Sequence, residues 1–328
     1  MTRSGNLATL VLVELKRLRS RRVALVAAIL LLVAVGLFQL VVADEVTPPS
    51  AAAVSQQQQY YEQSHQDWAQ NHEAQEALCA QQGGSASDCV QPEPTPADYS
   101  LTATAFSDIA PAAVQLSAYV TLLAAFLVGA SFIGAEYSTG SLANWLTFVP
   151  ERLKVYGSKL GAVVLASALG GAVVNYLMLG LVVLLTRVHG GALTGFATVA
   201  QDAGRAIPIA ALAGVAGFVF ALLTRHTVAA LGVALGYIVA STVLGFLTMN
   251  ANGPLGWLPP WLPENNVTAF LEHGSSYYQY VETVTPDGTS QDQVEKHITF
   301  GHSAVYWAVL LVVAVVPAGA VFRRRDVT

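Results

Sequence analysis

The fold class of this chain is inferred first from the segment Glu136–Lys159, which has the sequence EYSTGSLANWLTFVPERLKVYGSK. It is polar and amphipathic, and a long apolar run flanks it on each side. A charged segment between two apolar runs is typical of a membrane protein at the point where the chain leaves the bilayer and turns back. The fold class therefore depends on how many such apolar runs the sequence holds.

The composition is that of a membrane protein. The chain is 54% hydrophobic and 11% charged, against about 25% charged residues in an average soluble domain. A helix needs about 20 apolar residues to cross a hydrocarbon core of about 30 Å. Segments of this kind are Val23–Ala43, Ala110–Ile133, Leu160–Thr186, Ala206–Thr224, Thr227–Met249 and Ser303–Phe322. They predict an all-α polytopic membrane protein with six transmembrane helices and a single transmembrane domain over residues 1–328.

The distribution of Lys and Arg predicts the orientation, because cytoplasmic loops are enriched in these residues. With the N-terminus inside, thirteen of the sixteen basic residues are cytoplasmic, and Arg187, Arg205 and Lys296 are external. An even number of spans then leaves both termini in the cytoplasm. Twelve Arg against four Lys, with abundant Ala, Val, Leu and Gly, suggests a bacterial source. We therefore expect a multi-pass protein of the bacterial cell (inner, plasma) membrane.

Residues 7–22 are predicted to form an amphipathic helix at the membrane surface. An apolar stripe at helical spacing comprises Leu7, Val11, Leu15 and Leu18. Lys16 and Arg19 lie off this stripe, as in an interfacial helix. Glu14 lies at its edge, three residues before Arg17, so that a local ion pair would offset the desolvation of the carboxylate. A disordered basic flank is the alternative.

The first external loop, residues 44–109, contains ten carboxylates and no Lys or Arg. From residue 50 to residue 82 it is rich in Gln, Glu and Ala and lacks Pro and Gly, which predicts a helix. A Gln-rich low-complexity linker is the alternative. Gly83 and Gly84 would end the helix, and Pro92, Pro94 and Pro96 favour an extended return to the membrane.

The chain has two cysteines, Cys79 and Cys89, and both fall in this external loop. The outside of a bacterial membrane is oxidising, so we predict a disulfide between them. A metal site is a poorer interpretation, because His72 and Asp88 nearby do not complete a four-ligand zinc spacing.

The second external loop, residues 250–302, begins with a segment rich in Trp and Pro. Trp257, Pro260 and Trp261 are expected at the headgroup layer, because tryptophan favours the membrane interface. A hairpin is predicted further on, with strands Tyr277–Thr285 and Gln291–Phe300 joined by a turn at Pro286-Asp287-Gly288.

Several kinds of chemistry have no motif in the sequence. No G-x-x-x-x-G-K-[ST] loop is present, so we expect no ATP binding by this chain and no enzymatic activity of its own. The interiors of the predicted spans contain no ionisable residue, which argues against an ion-coupled transporter, although backbone carbonyls can hold sodium. No pattern of metal ligands or of interleaved basic and aromatic residues points to a metal or to nucleic acid.

Small residues recur four apart in several spans, at Ala125–Gly129, Ala162–Ala166–Gly170 and Gly232–Gly236–Ala240. Such steps let helix backbones approach closely inside a membrane. They predict a compact bundle or a dimer face.

The 136–159 segment itself predicts a short helix across the mouth of two spans. Ser138 or Thr139 is placed to cap its start. An apolar face would be formed at i, i+3, i+4 and i+7 by Leu142, Trp145, Leu146 and Val149. Pro150 would end the helix. Such a face suits a groove on a soluble partner, and an interfacial loop anchored by Trp145 is the alternative.

The segment resembles the region between the second and third spans of type-2 ATP-binding-cassette (ABC) exporter permeases. The matching residues are Glu136, Gly140-Ser141-Leu142, Pro150, Arg152 and Gly157-Ser158-Lys159. In the family two residues separate the Pro from the Arg, whereas one separates Pro150 from Arg152 here. The architecture is also similar: a basic surface helix, six spans, cytoplasmic termini, and an element before the last span like the family's half-crossing external hairpin.

The resemblance implies a permease subunit that pairs with a second permease, identical or homologous, and rests on two ATPase subunits that use ATP and Mg. The 136–159 segment would then be the cytoplasmic coupling segment. Leu142, Trp145 and Leu146 would dock the ATPase, Glu136 would couple the second span to this helix, and Arg152 or Lys159 would hold the corner. The alternative is a permease-like signalling or assembly subunit whose 44–109 loop binds an extracytoplasmic partner.

Overall fold

A computed structural model of the chain describes residues 6–82, 89–99, 103–148, 151–285 and 288–324, with the backbone alone for Ala97, 283–285 and 288–290. The helices are α1 (Leu7–Arg19), α2 (Arg22–Val46), α3 (Ala51–Gln81), α4 (Phe106–Ser138), α5 (Ser141–Phe148), α6 (Arg152–Val188), α7 (Phe196–Thr224), α8 (Thr227–Leu247), α9 (Pro263–Leu271) and α10 (Phe300–Arg324). The strands are β1 (Gly274–Thr285) and β2 (Gly288–Thr299).

Within these residues, six helices are long and apolar enough to cross a membrane: α2, α4, α6, α7, α8 and α10. Each overlaps one of the six segments chosen from the sequence, so the number and positions of the predicted spans are confirmed. The protein is a mainly helical, multi-pass membrane protein. Several spans extend beyond the predicted apolar runs, because a helix continues into its polar ends as long as the backbone hydrogen bonds are satisfied.

The chain divides into two compact units. The first consists of Met1–Leu37, Pro111–Gly180 and Ala197–Thr328, and the second of Phe38–Ala110 and Leu181–Phe196. The predicted insertion at 44–109 therefore belongs to the second unit, together with the end of α6.

The core of the first unit is formed where α4, α6 and α7 pack together. Phe132, Ile133, Phe218 and Leu222 are all nearly inaccessible there. Gly129 of α4 lies so close to α7 that a Cβ at this position would overlap the carbonyl group of Gly214, which is the close backbone approach that the Ala125–Gly129 step predicts. Gly232 and Gly236 of α8, by contrast, have open space beside them.

The second unit contains the predicted external helix, which is α3. Ser50 caps it, because its Oγ accepts a hydrogen bond from the Ala53 amide at 3.3 Å. The disulfide between Cys79 and Cys89 is present, as predicted. Residues 90–95 then run back without regular structure to a 3-10 turn at Pro96–Tyr99. Gly83 and Gly84 lie outside the described residues.

The chain between α8 and α10 folds into a short helix and a hairpin within the first unit. The strands β1 and β2 pair antiparallel from Gly274 opposite Thr299 to Thr285 opposite Gly288. The hairpin prediction is thus confirmed, with longer strands, while Pro286 and Asp287 lie outside the described residues. Trp257 and Trp261 are mostly exposed, and their placement in a headgroup layer stays a prediction.

Hydrogen bonds fasten α9 to several spans. Tyr119 of α4 bonds to Thr268 at 2.9 Å, and Arg205 of α7 donates to the carbonyl of Leu271 at 2.6 Å. Ser303 of α10 donates to the carbonyl of Asn266 at 2.5 Å. Glu272 directly follows α9. Burial raises the pKa of its carboxyl group, and the charge of Asp202 raises it to a smaller extent. Within the second predicted external loop, α9 is therefore attached to α4, α7 and α10.

Candidate functional site: the 136–159 segment and its buried charges

The turn between α4 and α5 sets the direction of the short helix. The hydroxyls of Ser138 and Thr139 both donate to the carbonyl of Ala135, at 3.0 and 2.8 Å, so they close α4. The expectation that one of them caps the next helix is therefore wrong. Gly140 follows with φ +66°, a left-handed conformation that costs other residues about 1–2 kcal/mol. This explains the glycine that the sequence pattern singled out.

The apolar stripe of α5 faces the core of the first unit. Leu142 is 1% exposed, and Trp145 and Leu146 pack against the same cluster. Leu142 therefore does not lie on an outer surface, whereas Trp145 and Leu146 are half-buried and their part in docking stays a prediction. The physical reason is that fully burying a leucine side chain stabilises by about 1.5–3 kcal/mol, and the chain's own core supplies that burial. Val149 and Pro150 lie outside the described residues.

The outward side of α5 carries Ser141, Asn144, Thr147 and Phe148. Phe148 is 81% exposed. Sequence reasoning missed this residue because it lies off the i, i+3, i+4, i+7 stripe. The signal in the sequence was weak, an aromatic residue off the apolar stripe, because single exposed apolar residues are common on protein surfaces.

Two carboxylates and one ammonium group form a buried cluster beside α5. The Nζ atom of Lys159 donates to Oε2 of Glu14 at 3.0 Å and lies 2.6 Å from Oε2 of Glu136. The side chains of Glu14 and Lys159 are 0% exposed, and that of Glu136 is 5% exposed. The cluster thus joins α1, the end of α4 and the second turn of α6.

Two arginines complete the cluster from its outer side. Arg21 donates to Oε1 of Glu136 at 2.8 Å and to the carbonyl of Ser131 at 3.3 Å. Arg17 lies 3.5 Å from Oε1 of Glu14, so the ion pair predicted within α1 is present. The Arg17 guanidinium also lies 4.2 Å from the centre of the Trp145 ring. This cation–π contact connects α1 directly to α5.

Charge compensation makes the cluster possible. A carboxylate or ammonium group taken out of water costs several kcal/mol unless it is paired, and here each buried charge has a partner of opposite sign. Breaking such a pair typically costs about 3–5 kcal/mol, because an uncompensated charge is left behind. The structure therefore couples the position of α1 to those of α4 and α6.

The structure brings together Glu14, Arg17, Glu136 and Lys159 from the sequence-predicted residues. Lys159 lies in the second turn of α6 and pairs with Glu14 and Glu136, and its part in holding the corner stays a prediction. Arg152 is the first residue of α6, and its part in holding the corner stays a prediction. Lys16 and Arg19 are exposed on α1. Arg21 was missed, because it lies between two helices, where helical periodicity gives no information.

A comparison of the chain with known protein families gives no match, and no curated protein matches it either. Membership of the ABC exporter permeases therefore stays an expectation that rests on the sequence of the 136–159 segment and on the order of the spans.

Proposed function

We propose that this chain is the membrane-spanning permease subunit of an ATP-driven ABC exporter in a bacterial cell membrane. The observation that carries the proposal is the buried ionic cluster of Glu14, Glu136 and Lys159 beside α5. A subunit moved by a separate ATPase needs a short surface helix that is firmly joined to its spans. The cluster and the Arg17–Trp145 contact are such a connection.

In this proposal ATP and Mg belong to two partner ATPase subunits, and this chain binds neither. The outward side of α5 meets the ATPase, with Phe148 as the apolar anchor in a groove of that partner. The inward side, through Leu142 and Trp145, transmits the displacement to the core. Lys159 then transmits this displacement to α6 and, through its ion pair with Glu136, to α4.

The translocation pathway is completed by a second permease subunit, identical or homologous. Large apolar surfaces of α2 and α8 remain exposed in the single chain, and the Gly232–Gly236 step has open space beside it. These surfaces are available to lipid or to the second permease.

The test is co-purification of this chain with an ATPase subunit co-expressed from a neighbouring gene. Phe148→Asp is expected to weaken the complex tenfold or more, since desolvated aromatic anchors typically contribute about 2 kcal/mol or more. Phe148→Leu keeps an apolar side chain and serves as the matched control. Undiminished co-purification and transport-linked ATPase activity with Phe148→Asp would rule out docking at this surface.

A second function is favoured by one observation, the disulfide-stapled α3 of the second unit. A folded acidic helix outside the membrane suits a signalling or assembly subunit that binds an extracytoplasmic partner. Deleting residues 56–90 separates the two functions. Export that survives the deletion supports the permease with a regulatory loop, whereas loss of a bound partner without any exported substrate supports the signalling subunit.

A further inference from the structure

The sequence from residue 16 to residue 22 carries five positive charges, and the structure divides them into two groups. Arg17 and Arg21 turn inward to Glu14 and Glu136, at 3.5 and 2.8 Å. The other three are Lys16, Arg19 and Arg22, all exposed. None of these three has a carboxylate partner among the described residues.

The predicted apolar stripe of α1 packs against the protein from Val11 to Leu18, whereas Leu7 at its start is 48% exposed. The side chain of Val11 lies close to Gly161 of α6, since a Cβ atom placed on that glycine would be 3.2 Å from it. Leu18 is buried in the core of the first unit. The opposite side of α1 still presents apolar residues, with Leu12 60% exposed and Val13 38% exposed.

This outward side carries both exposed apolar surface and exposed charge, with the apolar residues nearer the start of the helix. Leu12, Lys16 and Arg19 follow one another at i, i+4 and i+7, so they lie on one face of the helix. Arg22 continues the charged row at the start of α2. A soluble acidic partner would match the charges alone. A bilayer surface matches both features, because acyl chains take the leucine while headgroup phosphates take the cations.

We propose that the outward face of α1, formed by Leu12, Lys16 and Arg19 together with Arg22, binds anionic phospholipid headgroups of the adjacent leaflet. Each basic side chain near an anionic leaflet raises partitioning roughly fivefold, and the attraction falls with added salt. The inner face of the same helix holds Lys159 through Glu14, so lipid bound outside steadies the buried cluster. This inference does not depend on the proposed transport function.

The experiment uses the full chain in lipid nanodiscs of phosphatidylcholine, with or without phosphatidylglycerol. Lipid retained after detergent extraction is counted by native mass spectrometry, and thermal unfolding is followed by tryptophan fluorescence. The wild type is expected to retain phosphatidylglycerol over phosphatidylcholine by roughly tenfold or more and to unfold at a higher temperature in the anionic discs. Both effects should shrink as salt is raised, and soluble glycerol phosphate should displace neither.

The test variant is the triple substitution Lys16→Gln, Arg19→Gln and Arg22→Gln, which should lose the preference while unfolding as the wild type does in phosphatidylcholine. A triple variant that keeps charge, Lys16→Arg with Arg19→Lys and Arg22→Lys, should retain it. Lys154→Gln is the control for a cation already paired, here with Glu151.

An equal preference in the wild type and the glutamine triple variant would overturn the proposal, as would the absence of any preference in the wild type. If the triple variant does not fold, the single variants are measured. A preference that stays undiminished in every one of them would count against the site in the same way, because each lost charge should lower it roughly fivefold.

Discussion

Lys159 lies in the second turn of α6, and its ammonium group is enclosed by the carboxylates of Glu14 and Glu136. Lys154, five residues earlier, also forms an ion pair, with Glu151 at 2.7 Å, but both partners are about half exposed. The two lysines belong to the same helix and differ mainly in burial. Their comparison isolates the energetic role of the buried cluster.

Lys159→Met should lower the free energy of unfolding by about 3–5 kcal/mol, because it leaves two buried carboxylates without their shared partner. Lys154→Met should change it by less than about 1 kcal/mol, as is usual for an exposed pair. Equilibrium denaturation of the purified protein in detergent measures both. Equal, small effects of the two substitutions would contradict the structural role assigned to the cluster.

Among the helices, α3 is held by contacts with residues 90–95, the return segment that follows the disulfide. The indole of Trp68 donates to the carbonyl of Gln91 at 2.9 Å, and the Gln91 amide donates to Glu76 at 2.9 Å. His65 lies 2.9 Å from Glu93. The disulfide joins Cys79, near the end of α3, to Cys89, just before the return segment, and so keeps that segment near the helix.

Reduction of the disulfide, or the double substitution Cys79→Ser and Cys89→Ser, should release the return segment. Closing a loop of this length stabilises by about 2–4 kcal/mol, so amide exchange at Gln91 should accelerate. Hydrogen exchange with mass spectrometry compares this peptide with α9 in the first unit, where no change is expected. A reductant that alters exchange equally in the double variant would show that the effect does not come from this bond.

At the scale of the whole molecule, the six spans place the short helix α5 and the hairpin β1–β2 on opposite sides of the membrane in the predicted topology. Both described cysteines are bonded to each other, so the chain offers no competing thiol. Thr147 on α5 and Gln293 on β2 are exposed and suit a labelling experiment.

A membrane-impermeant maleimide should label Gln293→Cys in intact cells, because the hairpin is external in this topology. Thr147→Cys should react only after the membrane is opened. Labelling is quantified by the mass shift of the purified protein. The reverse pattern would invert the orientation, and labelling of both in intact cells would mean an even number of crossings between them, against the three of this topology.

Much of the architecture was predictable from sequence because it depends on local composition. A run of about 20 apolar residues has to form its backbone hydrogen bonds internally in lipid, so the six spans follow from hydropathy alone. The disulfide and the helix α3 also follow from short-range patterns. Gly140 could be singled out from the sequence pattern. The reason for a glycine at this position, its left-handed φ, is seen only in the structure.

The spans, the helix α3 and the disulfide thus follow from residues that are close together in the chain. The direction in which each amphipathic face turns depends instead on how the helices pack. Leu142 of α5 and Leu18 of α1 both turn into the same core cluster, because burial there removes their apolar surface from water. The pairing of Lys159 with Glu14 joins residues 145 positions apart, and no periodicity encodes such a distance. It arises because charges withdrawn from water must find partners wherever the packing of the spans brings them together.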